Sequence, residues 1–200
     1  MATSTERDKK LVQYLNEAYG KEKELETALA AHIGMTERAA YKKRLRKHLT
    51  ETKAHARALE RRIKALGGSP ATLQRLAGQA TAALKGPVHV FRAADLEEKL
   101  LKNAKTEYSE EAEEIATYTA IEAFAENVGD RDTVKLARGI RREEERMARY
   151  LEGLIPQLAR AVVRAHVPND ERPAPRRATR GRARKPGRTS RTRSRDSRRR

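Results

Sequence analysis

Glutamates recur in this chain where a helical pattern asks for apolar residues. Glu114, Tyr118, Ile121, Ala125 and Val128 follow at spacings of four, three, four and three, which is one face of a helix. That face is apolar except for its first member. Leu11, Leu15, Ala18, Glu22, Leu25 and Leu29 form a similar stripe with a glutamate in its middle, and Leu136, Ile140, Glu143 and Met147 repeat the arrangement. An ionised carboxylate in a dry interior costs several kcal/mol even after relaxation. Three helices carrying that penalty at mid-height point to a shared cation.

The donor types suit this chemistry. Di-iron and di-manganese bundles take one Glu from each of two helices and a Glu-x-x-His from each of two others. Here Glu22 and Glu114 fill the first role. Glu51 fills the second, with His48 three residues before it and His55 four after it, both on its own helix face. Glu143 and Glu144 stand for the fourth helix, with no histidine nearby. Carboxylates and imidazoles suit iron, manganese and, less selectively, zinc, and four glutamates neutralise two divalent cations. The expected centre therefore holds two iron or manganese ions per chain. Its ligands come from Glu22, Glu51, His55, Glu114, Glu143 and Glu144. The pattern leaves Glu143 against Glu144 open, and the repeat spacing below favours Glu143. Tyr118, one turn from Glu114, is placed to donate to a ligating carboxylate, with His48 as a further supporting group. The plainer alternatives are buried glutamates that set helix register and packed histidines. His32, His89 and His166 have no partner pattern and read as structural. Arg61-Arg62 and Arg141-Arg142 read as solvated helix faces.

Four long helices must position these groups. They are expected over about Lys9–His32, Glu37–Leu66, Ala94–Val128 and Asp132–Val167, with a short helix over about Pro70–Leu84. Gly34, Gly67-Gly68 and Gly129-Asp130 supply the stops, Thr36 and Ser69 the starts, and Val88–Ala93 a connector. Pro156 predicts a kink or a fresh start in the last helix. The fold class that follows is all-α: a four-helix bundle with a short crossover helix, over residues 8–167. A repeat supports it. Glu22 precedes Glu51 by 29 residues and Glu114 precedes Glu143 by 29, each pair spanning a glycine turn. A duplicated helical hairpin is the economical explanation.

Several short blocks resemble one family. His48-Leu49-Thr50-Glu51-Thr52 is similar to the His-Leu-x-Glu-Thr of bacterial YciE/YciF-type ferritin-like stress proteins. Tyr19-Gly20-Lys21-Glu22-Lys23 resembles that family's Tyr-x-x-Glu-Lys. Glu114-Ile115-Ala116-Thr117-Tyr118, with Ala125-Glu126 and Gly129 after it, resembles its Glu-Ile-Ala-x-Tyr and Ala-Glu-x-x-Gly run. Glu143-Glu144 falls where the family has a glutamate cluster. The resemblance covers about residues 8–158 and implies a ferritin-like bundle, di-metal binding, homodimers and a link to stress. The chain departs from the ferritin pattern in having Glu-x-x-x-His on the second helix and no histidine on the last, and in its highly charged segment before Glu114.

Composition bounds the rest. The chain has no cysteine, so neither disulfides nor thiolate ligands are available. No run of 18 apolar residues predicts a membrane span, and the polar residues 1–7 read as a flexible lead-in, so a cytoplasmic location is expected. The net charge is +17. Residues 168–200 carry 14 basic and 3 acidic groups, against 31 and 25 in residues 1–167. The last 33 residues are too poor in apolar groups to fold and read as a disordered Arg-rich tail. Its Arg176, Arg177, Arg180, Arg182, Arg184, Lys185, Arg188, Arg191, Arg193, Arg195, Arg198, Arg199 and Arg200 offer contacts to DNA or RNA phosphates without base stacking. Two functions therefore compete. One is a metal-binding stress protein that oxidises ferrous iron beside DNA. The other is a nucleoid-associated DNA-binding protein whose bundle is a dimerisation scaffold.

Overall fold

In the computed structural model, residues 5–83 and 95–173 are described. Every regular element among them is helical: α1 (Glu6–Met35), α2 (Ala39–Ala65), α3 (Pro70–Ala83), α4 (Leu96–Asn127) and α5 (Arg131–His166), then a 3-10 turn, Asn169–Glu171. Contacts divide the chain into Met1–Val167 and Pro168–Arg200. The Val88–Ala93 connector, His89 and the tail from residue 174 lie outside the described residues. So do residues 1–4 of the lead-in; Thr5 caps α1, and Glu6 and Arg7 belong to its first turn.

Both hairpins, α1–α2 and α4–α5, are packed pairs, and they meet through α1 on α4 and α2 on α5. The α3 helix lies on α1, with Leu73 in the core. α2 and α4 end alike. Gly67 and Gly129 take φ of +82° and +72°, where a Cβ would be strained. The next N–H then reaches back, from Gly68 to the Ile63 carbonyl at 2.8 Å and from Asp130 to the Ala125 carbonyl at 2.9 Å. Asp130 caps α5 by accepting from the Thr133 N–H at 2.9 Å. Arg62, read from sequence as a solvated residue, instead clamps this cap: it donates to Asp130 Oδ1 at 2.6 Å and to Thr133 Oγ1 at 2.9 Å. Arg141 likewise pairs with Glu122 and Glu145.

Two helix signals resolve differently from the sequence expectation, and a third loses one of its two alternatives. α1 runs through Gly34 to Met35. Thr36 closes α1, donating its hydroxyl to the His32 carbonyl at 2.6 Å, while Arg38 begins α2 without a side-chain cap. α5 continues through Pro156 without a fresh start. Pro156 and Glu152 both face solvent, so water can serve the carbonyl that Pro156 leaves without a donor, while Leu151, Leu154 and Leu158 anchor the helix on its buried side.

The core has two apolar clusters. One gathers Leu15, Ala18, Leu59, Ile63, Tyr118, Ile121 and Ile140. The other gathers Leu29, Tyr41, Leu45, Leu100, Ala104, Met147 and Leu151. On every long helix buried polar residues stand between these clusters: Glu22 on α1, His48, Thr52 and His55 on α2, Glu107, Glu111 and Glu114 on α4, and Glu144 on α5. A charged layer thus crosses the middle of the bundle.

Candidate metal centre

The layer follows from the helical register. Glu22 sits in the buried stripe of α1, His48 and His55 lie two turns apart on one face of α2, and Glu111 and Glu114 are one turn apart on α4. The buried stripe of α5 passes through Ala137, Ile140, Glu144, Met147 and Leu151.

These side chains converge. Two groups have donor atoms all within 4.8 Å of one another: Glu22, His55 and Glu144, and His48, Glu111 and Glu144. Glu144 belongs to both. His55 Nδ1 lies 3.0 Å from Glu144 Oε1 and 3.4 Å from Glu22 Oε1. His48 Nε2 lies 2.8 Å from Glu111 Oε1 and 3.7 Å from Glu144 Oε2. The Tyr118 hydroxyl donates to Glu22 Oε1 at 2.5 Å.

Close approach does not mean satisfied bonding here. Glu22 Oε2, both oxygens of Glu111, Glu114 Oε1, both oxygens of Glu144 and His55 Nδ1 are buried without a hydrogen bond. A buried polar atom left unpaired costs about 1–3 kcal/mol, and of these atoms Glu22 Oε2, Glu111 Oε2 and Glu114 Oε1 lack even the ion-pair contacts that serve the others. Such under-bonded oxygens and nitrogens, gathered in one layer, fit a cation among them. The two groups together offer three carboxylates and two imidazoles, with Glu144 common to both, and Glu114 is buried close enough to feel the charges of all three.

Without a cation the layer holds protons instead. Burial, then the charges of Glu22, Glu144 and Glu111, push the Glu114 carboxyl well above the usual range. Burial raises Glu22 too, against the pull of His55, and carries Glu111 up to about 8 against that of His48. Burial works against charge on the imidazoles, but Glu111 and Glu51 carry His48 to about 10. Glu144 and Glu22 carry His55 to about 11. Glu144 alone among the inner carboxylates is lowered: burial opposes ionisation, and His55 and His48 overcome it.

The structure brings together Glu22, His48, His55, Glu114 and Glu144 of the residues proposed from sequence, with Tyr118 on Glu22. Glu51 and Glu143 lie at the edge, with side chains 13% and 35% exposed. Glu51 is paired with Arg44 and Lys47. Glu143 Oε2 lies 2.9 Å from His55 Nε2, on the ring's outer side. The stripe expected on α5 keeps Ile140 and Met147, but Ala137 and Glu144 fill the buried positions expected for Leu136 and Glu143. Glu111 was missed, as was Glu107, which is fully buried against His32. The signal was present: continuing the Glu114–Tyr118 stripe backwards gives Glu111, Glu107, Ala104 and Leu100 at spacings of three, four, three and four. His166 pairs with Asp95 at 2.6 Å. The basic residues named from Arg176 to Arg200 lie outside the described residues.

Fold and site define an all-helical bundle with buried Glu/His groups able to bind a metal. The chain belongs to the family described as a domain of unknown function (DUF892), whose match spans residues 6–164 and which is the YciE/YciF-type family. Among solved structures, a protein from Xanthomonas campestris pv. campestris is 25% identical, with a TM-score of 0.64 over 80% of this chain and 98% of that one. YcfI from Rhodopseudomonas palustris is 23% identical, with a TM-score of 0.58 over 75% and 95%, and shares the fold. No curated protein matches the chain.

Proposed function

We propose that the bundle is ferritin-like and that its mid-layer is a two-ion centre for iron or manganese, serving iron oxidation under stress. The observation that carries this reading is the layer of buried, orphaned donor atoms shared through Glu144. Glu22, His55 and Glu144 would hold one ion, and His48, Glu111 and Glu144 the other. Glu114, buried beside them with an orphaned oxygen, completes the neutralising set of four carboxylates. A bound transition metal supplies Lewis acidity and one-electron redox chemistry. The chain's own residues supply the rest. The apolar clusters on either side exclude water, Tyr118 orients Glu22, and the carboxyls and imidazoles accept or release protons as the layer's charge changes.

Metal content decides it. Equilibrium dialysis of the full chain against manganese(II) should load two ions per wild-type chain, and Glu144→Gln should cost both. Glu114→Gln should weaken loading. Equal loading of wild type and Glu144→Gln discards the centre.

A second reading rests on the 14 basic groups against 3 acidic ones in residues 168–200. In it, this segment binds DNA or RNA phosphates on a homodimer in the cytoplasm, at the nucleoid, and the bundle serves as scaffold.

A further inference from the structure

The two central histidines turn opposite ring nitrogens inward. His55 faces Glu144 and Glu22 with Nδ1, at 3.0 and 3.4 Å, and faces outward with Nε2. His48 faces Glu111 with Nε2 at 2.8 Å and turns Nδ1 towards Glu51. Each outward nitrogen meets a carboxylate belonging to neither inner group. Glu143 Oε2 is 2.9 Å from His55 Nε2 with hydrogen-bond geometry. Glu51 Oε2 is 3.6 Å from His48 Nδ1, an ion-pair distance. Neighbouring cations tether both acids: the largely buried Arg44 at 2.9 Å and the exposed Lys47 at 3.2 Å hold Glu51, and Arg146 at 3.2 Å holds Glu143.

We infer that Glu143 and Glu51 are positioning residues, which fix His55 and His48 in opposite tautomers so that a divalent cation meets Nδ1 of His55 and Nε2 of His48. The inference rests on the two-ion reading of the layer and deepens it. A neutral imidazole has one N–H and one lone pair, so a carboxylate accepting the N–H on one side leaves the lone pair for a metal on the other. Charge argues the same way. Glu22, Glu111, Glu114 and Glu144 already balance two divalent cations. Two further carboxylates in the dry layer would leave a net of −2, whereas at the edge Glu51 and Glu143 are offset by their own cations.

Glu143 has the stronger hold because it makes a true hydrogen bond, while Glu51 acts on His48 by charge alone. The His55–Glu143 edge also borders a groove of about 500 Å³ with Ala54, Ala58 and Gly139 in its wall. That groove gives a replacement side chain at 143 room towards solvent.

Zinc, which is diamagnetic, is the probe, and the full chain labelled with 15N at histidine is the sample. In the zinc-loaded wild type, nitrogen NMR should show one ligand histidine protonated at Nε2 and another protonated at Nδ1. His55→Gln and His48→Gln should remove them one at a time. Glu143→Leu should abolish the Nε2–H signature and weaken zinc binding by about 10- to 100-fold. Glu143→Gln, which keeps an acceptor oxygen, should stay near wild type, and Glu51→Leu should have the smaller effect. Two ligand histidines with the same protonated nitrogen overturn the inference, as does a folded Glu143→Leu protein that matches wild type in tautomer and affinity. If Glu143→Leu fails to fold, the wild-type tautomers and the Gln variant still decide. A wild type that takes up no zinc removes the cation centre as well. Zinc bound with matching tautomers removes only this inference.

Discussion

Six side chains in the mid-layer would carry the proposed chemistry, and their proton balance is the first thing to measure. At pH 7 in the metal-free protein, Glu111 (about 8), His48 (about 10) and His55 (about 11) are mostly protonated, and burial favours the protonated form of Glu114 as well. Metal ligands must be deprotonated. Loading at neutral pH should therefore release protons, and affinity should rise with pH. Calorimetry in buffers of different protonation enthalpy reads this directly: an apparent binding enthalpy independent of buffer would refute it. Metal-free stability runs the other way. The folded-state values of His48 and His55 lie above the ordinary imidazole value, so their contribution is complete below about pH 6.5. It fades as the pH climbs through about 10 and 11.

Helix junctions decide whether the layer lines up. The Arg62 clamp on Asp130 joins the end of α2 to the start of α5 and so fixes the register between the helices bearing His55 and Glu144. Burial pushes the Asp130 carboxyl up, but the Thr133 N–H and the Arg62 guanidinium outweigh it and hold the carboxyl below the usual range. Its stabilising effect is present above the ordinary carboxylate value and is lost as pH falls through the lowered one. Asp130→Ala should cost about 1–2 kcal/mol at pH 7, from the lost cap. The gap to wild type in urea-denaturation midpoint should narrow towards pH 3, and a gap that stays constant would refute the assignment. The hairpin boundaries were legible because glycine turns and caps are local chemistry. Gly34 and Thr36 misled because a glycine tolerates helix as well as stop, and a threonine hydroxyl can serve either the helix before it or the one after.

As a whole, the chain joins a helical body to a strongly basic C-terminal segment. The prediction at this scale concerns that segment. Truncation after Val167 should leave the helical circular dichroism of the body unchanged, because the contacts divide there. It should also abolish gel retardation of DNA, which in the full chain should weaken steeply with salt. Retardation that survives truncation, or that ignores salt, would reject phosphate binding by the segment. Among the described residues, no helix is long and apolar enough to cross a membrane.

The sequence by itself determined the helices, the doubled hairpin and the presence of buried carboxylates, because each of these follows from short-range periodicity. It marked the paired positions Glu22–Glu51 and Glu114–Glu143 through their common spacing. It did not reveal that the first member of each pair faces the interior while the second stands at its edge. Only the tertiary structure decided that, along with the choice of Glu144 over Glu143 for the interior and the arrival of Glu111 beside His48. One residue along a helix turns a side chain by about 100°, given 3.6 residues per turn. Which of two adjacent glutamates is buried therefore depends on how the helix is rotated against its neighbours, and packing across all four long helices sets that rotation.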